Sequence, residues 1–274
     1  MSSQRIHAAF AAARAEGRAA LMPYFTAGFP DFDTSAAVLS GIIEAGADLI
    51  ELGIPFSDPL ADGPTIQQAS QIALDRGMTL EKSLKLIQEL RIHFAAPPFI
   101  VMSYANPILA YGVERFAADA AEAGADGLIV PDLPPEEAAA IEQACTAHDL
   151  ALIYLAAPTT TTGRLAEIAR RTTGFLYLVS LTGVTGERTA LPTDLATFVQ
   201  RARSVAHTPL AVGFGISNPE QARLVGELAD GVIVGSALIK TVAQAADPVR
   251  AANDFVGCLR GALAVAGEHT PCSS

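Results

Sequence analysis

The chain repeats one short joint that few folds can use. Glu44-Ala-Gly-Ala-Asp48 recurs as Glu122-Ala-Gly-Ala-Asp126, and more loosely as Leu228-Ala-Asp-Gly231. In each, a helix ends, usually at a glycine, and an apolar strand begins. The strand after the first joint carries Ala47, Leu49, Ile50, Leu52 and Ile54, a nearly continuous apolar run. That is the pattern of a parallel strand covered on both faces, not of a strand with one wet face. No strict sequence period runs through the chain, so the echo is one of supersecondary units and not of a repeat array.

Eight such strands can be read: Leu21–Ala27, Ala47–Ile54, Phe99–Met102, Leu128–Pro131, Leu150–Leu155, Phe175–Val179, Pro209–Gly213 and Gly231–Val234. Helical stripes separate them, among them Leu39, Ile42 and Ile43, then Leu80, Leu84 and Ile87, then Leu165, Ile168 and Ala169. Asp33, the threonines from Thr159 to Thr162 and the capping box Ser217-Asn-Pro-Glu220 mark helix starts. A doubly wound sheet normally stops at about five to seven strands, so eight βα units predict an α/β fold of the closed (β/α)₈ TIM-barrel type. At 274 residues and 50% hydrophobic, the chain suits a single barrel domain spanning 1–274. An additional N-terminal helix over about 1–18 is expected from Ile6, Phe10 and Ala13, and a frayed tail over about 267–274. The basic, Ser-containing start imitates a transit peptide only faintly.

Composition removes several function classes. With 29 acids against 18 bases the formal net charge is −11, which repels phosphate backbones and anionic lipid surfaces, so neither nucleic acid nor membrane is expected as a partner. No stretch reaches the roughly 18 apolar residues that a span needs. Cys145, Cys258 and Cys272 are scattered and odd in number, so neither a disulfide frame nor a zinc site follows, and a cytoplasmic location suits them. None of the five histidines falls near the C-terminal end of a strand, which leaves a metal-dependent aldolase without ligands. Lys82, Lys85 and Lys240 are placed away from the strand ends, so no Schiff-base lysine is expected. The remaining chemistry is acid–base work without metal or cofactor.

The acids for it stand in Glu51-Leu-Gly-Ile-Pro-Phe-Ser-Asp-Pro-Leu-Ala-Asp-Gly-Pro64. Glu51 interrupts an apolar strand, where a carboxylate is costly unless it is paired, protonated or used. Asp58 and Asp62 follow in a loop whose course is set by Pro55, Pro59, Gly63 and Pro64, and Asp58 can also serve as a simple turn cap. In a barrel the strand C-termini converge on one face. The loops after the last two strands then offer Gly213-Phe-Gly215 and Gly235-Ser236 as a phosphate cradle, because bare backbone N–H groups can approach an anion there. The polar loop around Gly183, Thr185 and Gly186 is suited to closing over a ligand.

The stretch from Glu51 to Pro64 resembles the signature of the tryptophan synthase alpha subunit, and the likeness extends through Thr182–Gly186, Val212–Ser217 and Gly235–Ala237. The resemblance implies a carbon–carbon lyase that splits indole-3-glycerol phosphate into indole and glyceraldehyde 3-phosphate. Glu51 and Asp62 would be its catalytic carboxylates. It further implies Tyr24, Met102 and Tyr177 around the indole, and Thr185, Gly186, Gly215, Gly235 and Ser236 at the lid and phosphate. Asp58, Asn106 and Pro134 would lie on the contact surface for a beta subunit carrying pyridoxal phosphate, in an α2β2 assembly. The lid continues as Glu187-Arg-Thr189, where the family is expected to vary. A stand-alone lyase releasing free indole and a sugar-phosphate isomerase are the alternatives; the isomerase would want acids or bases after the first and fifth strands, which end in Thr26-Ala-Gly28 and Ala156-Ala-Pro158. A non-catalytic regulatory subunit would have lost Glu51 or Asp62.

Overall fold

In the computed structural model, residues 2–179, 194–213 and 215–264 are described. The lid residues Thr185 and Gly186, with Gly183, and the tail over 267–274 lie outside the described residues.

The strands are β1 (Ala20–Thr26), β2 (Ile50–Gly53), β3 (Phe99–Met102), β4 (Gly127–Ile129), β5 (Ala151–Ile153), β6 (Leu155–Ala156), β7 (Leu176–Val179), β8 (Leu210–Gly213) and β9 (Gly231–Val234). They form one sheet in the order β5-β4-β3-β2-β1-β9-β8-β7-β6, with every pairing parallel. β5 and β6 are two halves of one stave interrupted at Tyr154. The first half pairs with β4 and the second with β7, and this closes the eight-stave barrel.

Helices α1 (Ser2–Ala15), α2 (Phe32–Glu44), α3 (Pro64–Asp75), α4 (Leu80–His93), α5 (Ala105–Tyr111), α6 (Val113–Ala123), α7 (Ala139–Ala147), α8 (Thr162–Arg171), α9 (Asp194–Arg203), α10 (Pro219–Gly226), α11 (Ser236–Gln244) and α12 (Pro248–Leu263) accompany them. α5 and α12 are additions to the helices read from the sequence. Two caps shift. Asp31, not Asp33, caps α2 through the Thr34 N–H, and the box at α10 pairs Asn218 with Gln221 instead of Ser217 with Glu220.

The period-2 alternation of each strand divides the core in two. Leu21, Phe25, Ile50, Leu52, Phe99 and Val101 face outward into the layer shared with the helices. Ala20, Met22, Leu49, Ile100, Ile129, Ile153, Phe175, Ala211 and Ile233 face inward, where Ile6, Phe10 and Ala13 of α1 join them. α1 therefore plugs the barrel at the end opposite the strand C-termini.

The repeated joints hold that plug in place. Asp48, Asp126 and Asp230 each accept a backbone N–H at the start of a neighbouring strand, from Leu21, Phe99 and Leu210 respectively. Each also receives an arginine from α1 or the turn just after it: Arg18 on Asp48, Arg5 on Asp126 and Arg14 on Asp230. Asp126 is the most deeply placed, fully buried, with Arg5 Nε at 2.5 Å, Arg91 Nη2 at 2.7 Å and the Phe99 N–H at 2.9 Å. Removing one partner of such a network strands the others, so Asp126→Ala is expected to destabilise the fold by about 3–5 kcal/mol. A urea midpoint unchanged from the wild type would contradict this account of the joint.

Cys145 is free and buried on α7.

Candidate active site

The innermost layer at the C-terminal end of the barrel differs from the layers below it. Following the inward positions up each strand, Met22 on β1 gives way to Tyr24, Leu49 before β2 to Glu51, Ile100 on β3 to Met102, and Phe175 to Tyr177 on β7. Tyr24 and Glu51 are direct register partners across the β1–β2 pair. An apolar core thus ends in a ring of polar and polarisable side chains around one carboxylate.

Glu51 is 1% exposed, and its Oε2 is a buried oxygen without a hydrogen-bond partner. Burial pushes its pKa up to about 8, and the charge of Asp62 adds to the rise. Asp62 lies at the far end of the loop between β2 and α3 and is only partly covered. Burial raises it to about 6, while the Tyr104 phenol beside it pulls the other way. Two carboxyl groups on one strand–loop unit are therefore held apart in proton affinity by their different surroundings.

Glycines make room for the two tyrosines. A Cβ on Gly53 would come within 2.2 Å of the Tyr24 hydroxyl, and one on Gly213 within 2.5 Å of the Tyr177 hydroxyl. Gly235 is packed similarly, its Cβ position 3.2 Å from the Tyr24 ring. Gly213 is thus bare for the sake of Tyr177, not to line a cradle. Gly215 differs from all three: its φ of +62° favours glycine, and a Cβ there would meet nothing within 4 Å. Its exposed backbone borders open space. Ser236 begins α11, with Gly235 as the residue before the first turn, so the free N–H groups of that helix start at the end of β9.

The site residues read from the sequence mostly come together here. Glu51, Tyr24, Met102 and Tyr177 share the innermost layer, and Asp62, Gly215, Gly235 and Ser236 stand at the strand C-termini around it. Asp58 and Pro134 sit on loops and Asn106 in the first turn of α5, and all three are exposed; Asp58 also accepts a turn hydrogen bond from Ser57 Oγ at 2.7 Å. A cleft of about 270 Å³ lined by Pro131, Asp132, Pro134 and Arg164 opens on this face, but Glu51 is not among its walls. Sequence reading missed Tyr104. Its one signal was its position, two residues beyond the end of β3, on the face where active residues gather. Among the described residues no group of three or more His, Cys, Asp or Glu side chains is arranged to hold a metal ion.

Comparison with known proteins gives a single family. Residues 10–266 match the family model described as tryptophan synthase alpha chain. The tryptophan synthase alpha chain of Phenylobacterium zucineum is 51% identical over 247 residues, covering 90% of this chain and 89% of the relative. Among solved structures, the alpha chain from Legionella pneumophila superposes with a TM-score of 0.89 at 38% identity, covering 97% of this chain and 99% of the other. A chain of tryptophan synthase from M. tuberculosis in an aminoacrylate- and BRD0059-bound form gives 0.86 at 37% identity, covering 93% and 96%.

Proposed function

Because the chain belongs to the tryptophan synthase alpha chain family, it is a carbon–carbon lyase that cleaves indole-3-glycerol phosphate in tryptophan synthesis, and we propose that Glu51 and Asp62 divide that chemistry between them. The observation that carries the division is the pair of proton affinities, about 8 for Glu51 and about 6 for Asp62. At neutral pH the larger share of Glu51 holds its proton and the larger share of Asp62 has lost its own.

The reaction needs that pairing. The bond between indole C3 and the glycerol carbon cannot break until the ring can accept its electrons. Protonated Glu51 supplies a proton to C3 and so creates an indoleninium cation. Ionised Asp62 faces the ring N–H and balances the positive charge that develops there. Glu51, now a carboxylate in an apolar setting, takes the proton of the adjacent glycerol hydroxyl. The C–C bond electrons return to the ring, the hydroxyl carbon becomes the aldehyde of glyceraldehyde 3-phosphate, and indole leaves. Glu51 ends with a proton, as it began.

Tyr24, Met102 and Tyr177 form the walls against which the indole lies. Gly215, Gly235 and Ser236 receive the phosphate on backbone N–H groups and the start of α11, as helix N-termini do. Thr185 and Gly186, which the family resemblance assigns to the lid, lie outside the described residues. The alpha chain requires no cofactor; pyridoxal phosphate belongs to the beta subunit of the synthase. Asp58, Asn106 and Pro134 mark the surface that meets that subunit, in an α2β2 assembly. Leu60 on the Asp58 loop, 90% exposed, and Leu109 on α5, 60% exposed, give that face an apolar component. We place the enzyme in the cytoplasm, since a phosphorylated substrate does not cross a bilayer unaided.

The test is indole release from indole-3-glycerol phosphate by the purified chain, alone and with a beta subunit from the same source. Slow release that accelerates with the partner is the expected result. No release under either condition would overturn the proposed roles of both carboxylates. Release alone that is indifferent to the partner, with no complex by native mass spectrometry, would identify a stand-alone lyase.

A further inference from the structure

The loop between β2 and α3 carries Asp62, whose backbone is held by local turns: its N–H donates to the Pro59 carbonyl oxygen at 3.0 Å and its carbonyl accepts from Gln67 Nε2 at 2.9 Å. Ser57, Asp58, Leu60 and Ala61 are exposed, and the loop turns on Pro55, Pro59 and Gly63. Its side chains also meet Tyr104, a residue of the next loop that is only 3% exposed. The Phe56 and Tyr104 rings meet with centroids 5.5 Å apart. Five residues further on, the Ala61 N–H donates to the Tyr104 hydroxyl oxygen at 3.0 Å. Tyr104 is itself anchored from behind, because the next N–H, that of Ala105, donates to Asp132 Oδ1 at 2.9 Å.

A phenol oxygen that accepts an N–H still has one proton to give. Asp62 follows Ala61 directly in the chain, which brings its carboxylate beside that phenol, and its charge acts on it. We propose that Tyr104 is a positioning residue for Asp62: with its oxygen fixed by Ala61 and its ring by Phe56, it directs its own O–H to the carboxylate and keeps it aimed at the indole N–H. This deepens, and rests on, the role given to Asp62 above.

The reciprocal electrostatics agree with that geometry. Tyr104 lowers Asp62 against the effect of burial, and Asp62 raises Tyr104. The other titratable groups around Asp62 are Glu51 on β2, Tyr24 on β1 and Tyr177 on β7, each of which feels its charge. Among the described residues it is Tyr104 that favours the ionised form of Asp62. The inference reaches the substrate only through Asp62.

Tyr104→Phe separates the parts, since it keeps the ring on Phe56 and removes only the oxygen. Carboxyl-carbon NMR of the free protein should show Asp62 titrating at higher pH than in the wild type. In turnover, the kcat should fall about tenfold, as for a misplaced catalytic group, with KM little changed and the acidic limb of the pH profile moved upward. Fluorotyrosine at position 104, a stronger donor, should move both readouts the other way. An Asp62 titration unmoved by either replacement would overturn the proposal. The NMR titration does not depend on the substrate, so failure of the lyase reading would appear in the activity assay and failure of this inference in the titration.

Discussion

Glu51→Gln is expected to lower indole formation by about a thousandfold or more, with KM for indole-3-glycerol phosphate nearly unchanged. A positioned general acid or base contributes roughly 10²–10⁴-fold, and Glu51 serves as both in one turnover. Gln fills the same volume, so substrate binding should survive while both proton transfers are lost. Single-turnover indole release measures the effect, and a loss of only a fewfold would remove Glu51 from the chemistry. The same substitution should reveal what the site costs the fold. Glu51 rises from 4.5 to about 8 on folding, so the native state holds a proton that the unfolded chain releases. The stability this contributes is fully present below about pH 4.5 and is lost progressively as pH rises toward 8. Glu51→Gln should therefore flatten the decline of urea midpoint between pH 5 and pH 8, by an amount on the order of 2–4 kcal/mol in unfolding free energy.

Asp62→Asn should cost about a hundredfold in kcat, the typical loss when one group stabilising developing charge is removed. Its diagnostic feature is the pH profile. In the wild type the productive form has Asp62 ionised and Glu51 protonated, so activity rises through about pH 6 and falls through about pH 8. With Asp62 neutralised, the acidic limb should vanish, and the upper limb should move to lower pH because the charge that raises Glu51 is gone. A wild-type profile flat between pH 5 and 9 would contradict the assignment of both roles. A variant that kept its acidic limb would show that some other group produces it.

These expectations rest on features of unequal visibility in the sequence. Glu51 was legible because a charge inside an apolar strand is an anomaly in one dimension; no coordinates are needed to see that it must be paired, protonated or used. Asp62 was legible as an acid in a proline-fixed loop, but its proton affinity was not, because that depends on how much of it the barrel covers and on Tyr104. Tyr104 itself looked like an ordinary residue after a strand. Its importance comes from a contact across forty-three positions, with Ala61.

The glycines make the same distinction. Gly213 and Gly235 read from the sequence as places left bare for an anion, which fitted their position after the last two staves. Gly213 is instead bare because Tyr177 occupies the space, and Gly235 because Tyr24 lies against it. Of the three glycines after these two staves, Gly215 is the one that keeps open space beside its backbone. Local composition identifies where a side chain is missing, and only packing says what stands in its place.

The sequence by itself determined the architecture. Strand patterning and helical periodicity are local, repeat along the chain, and leave a closed parallel barrel as the arrangement that covers every strand on both faces. It also determined the carboxylate on β2. The tertiary structure decided how the stave at Tyr154 divides to close the ring, and how Asp48, Asp126 and Asp230 of the repeated joints bind the arginines of the plugging helix. It decided too which of two acids keeps its proton. Those outcomes depend on burial and on neighbours brought together from distant parts of the chain, and desolvation acts on a group only once the fold has closed around it.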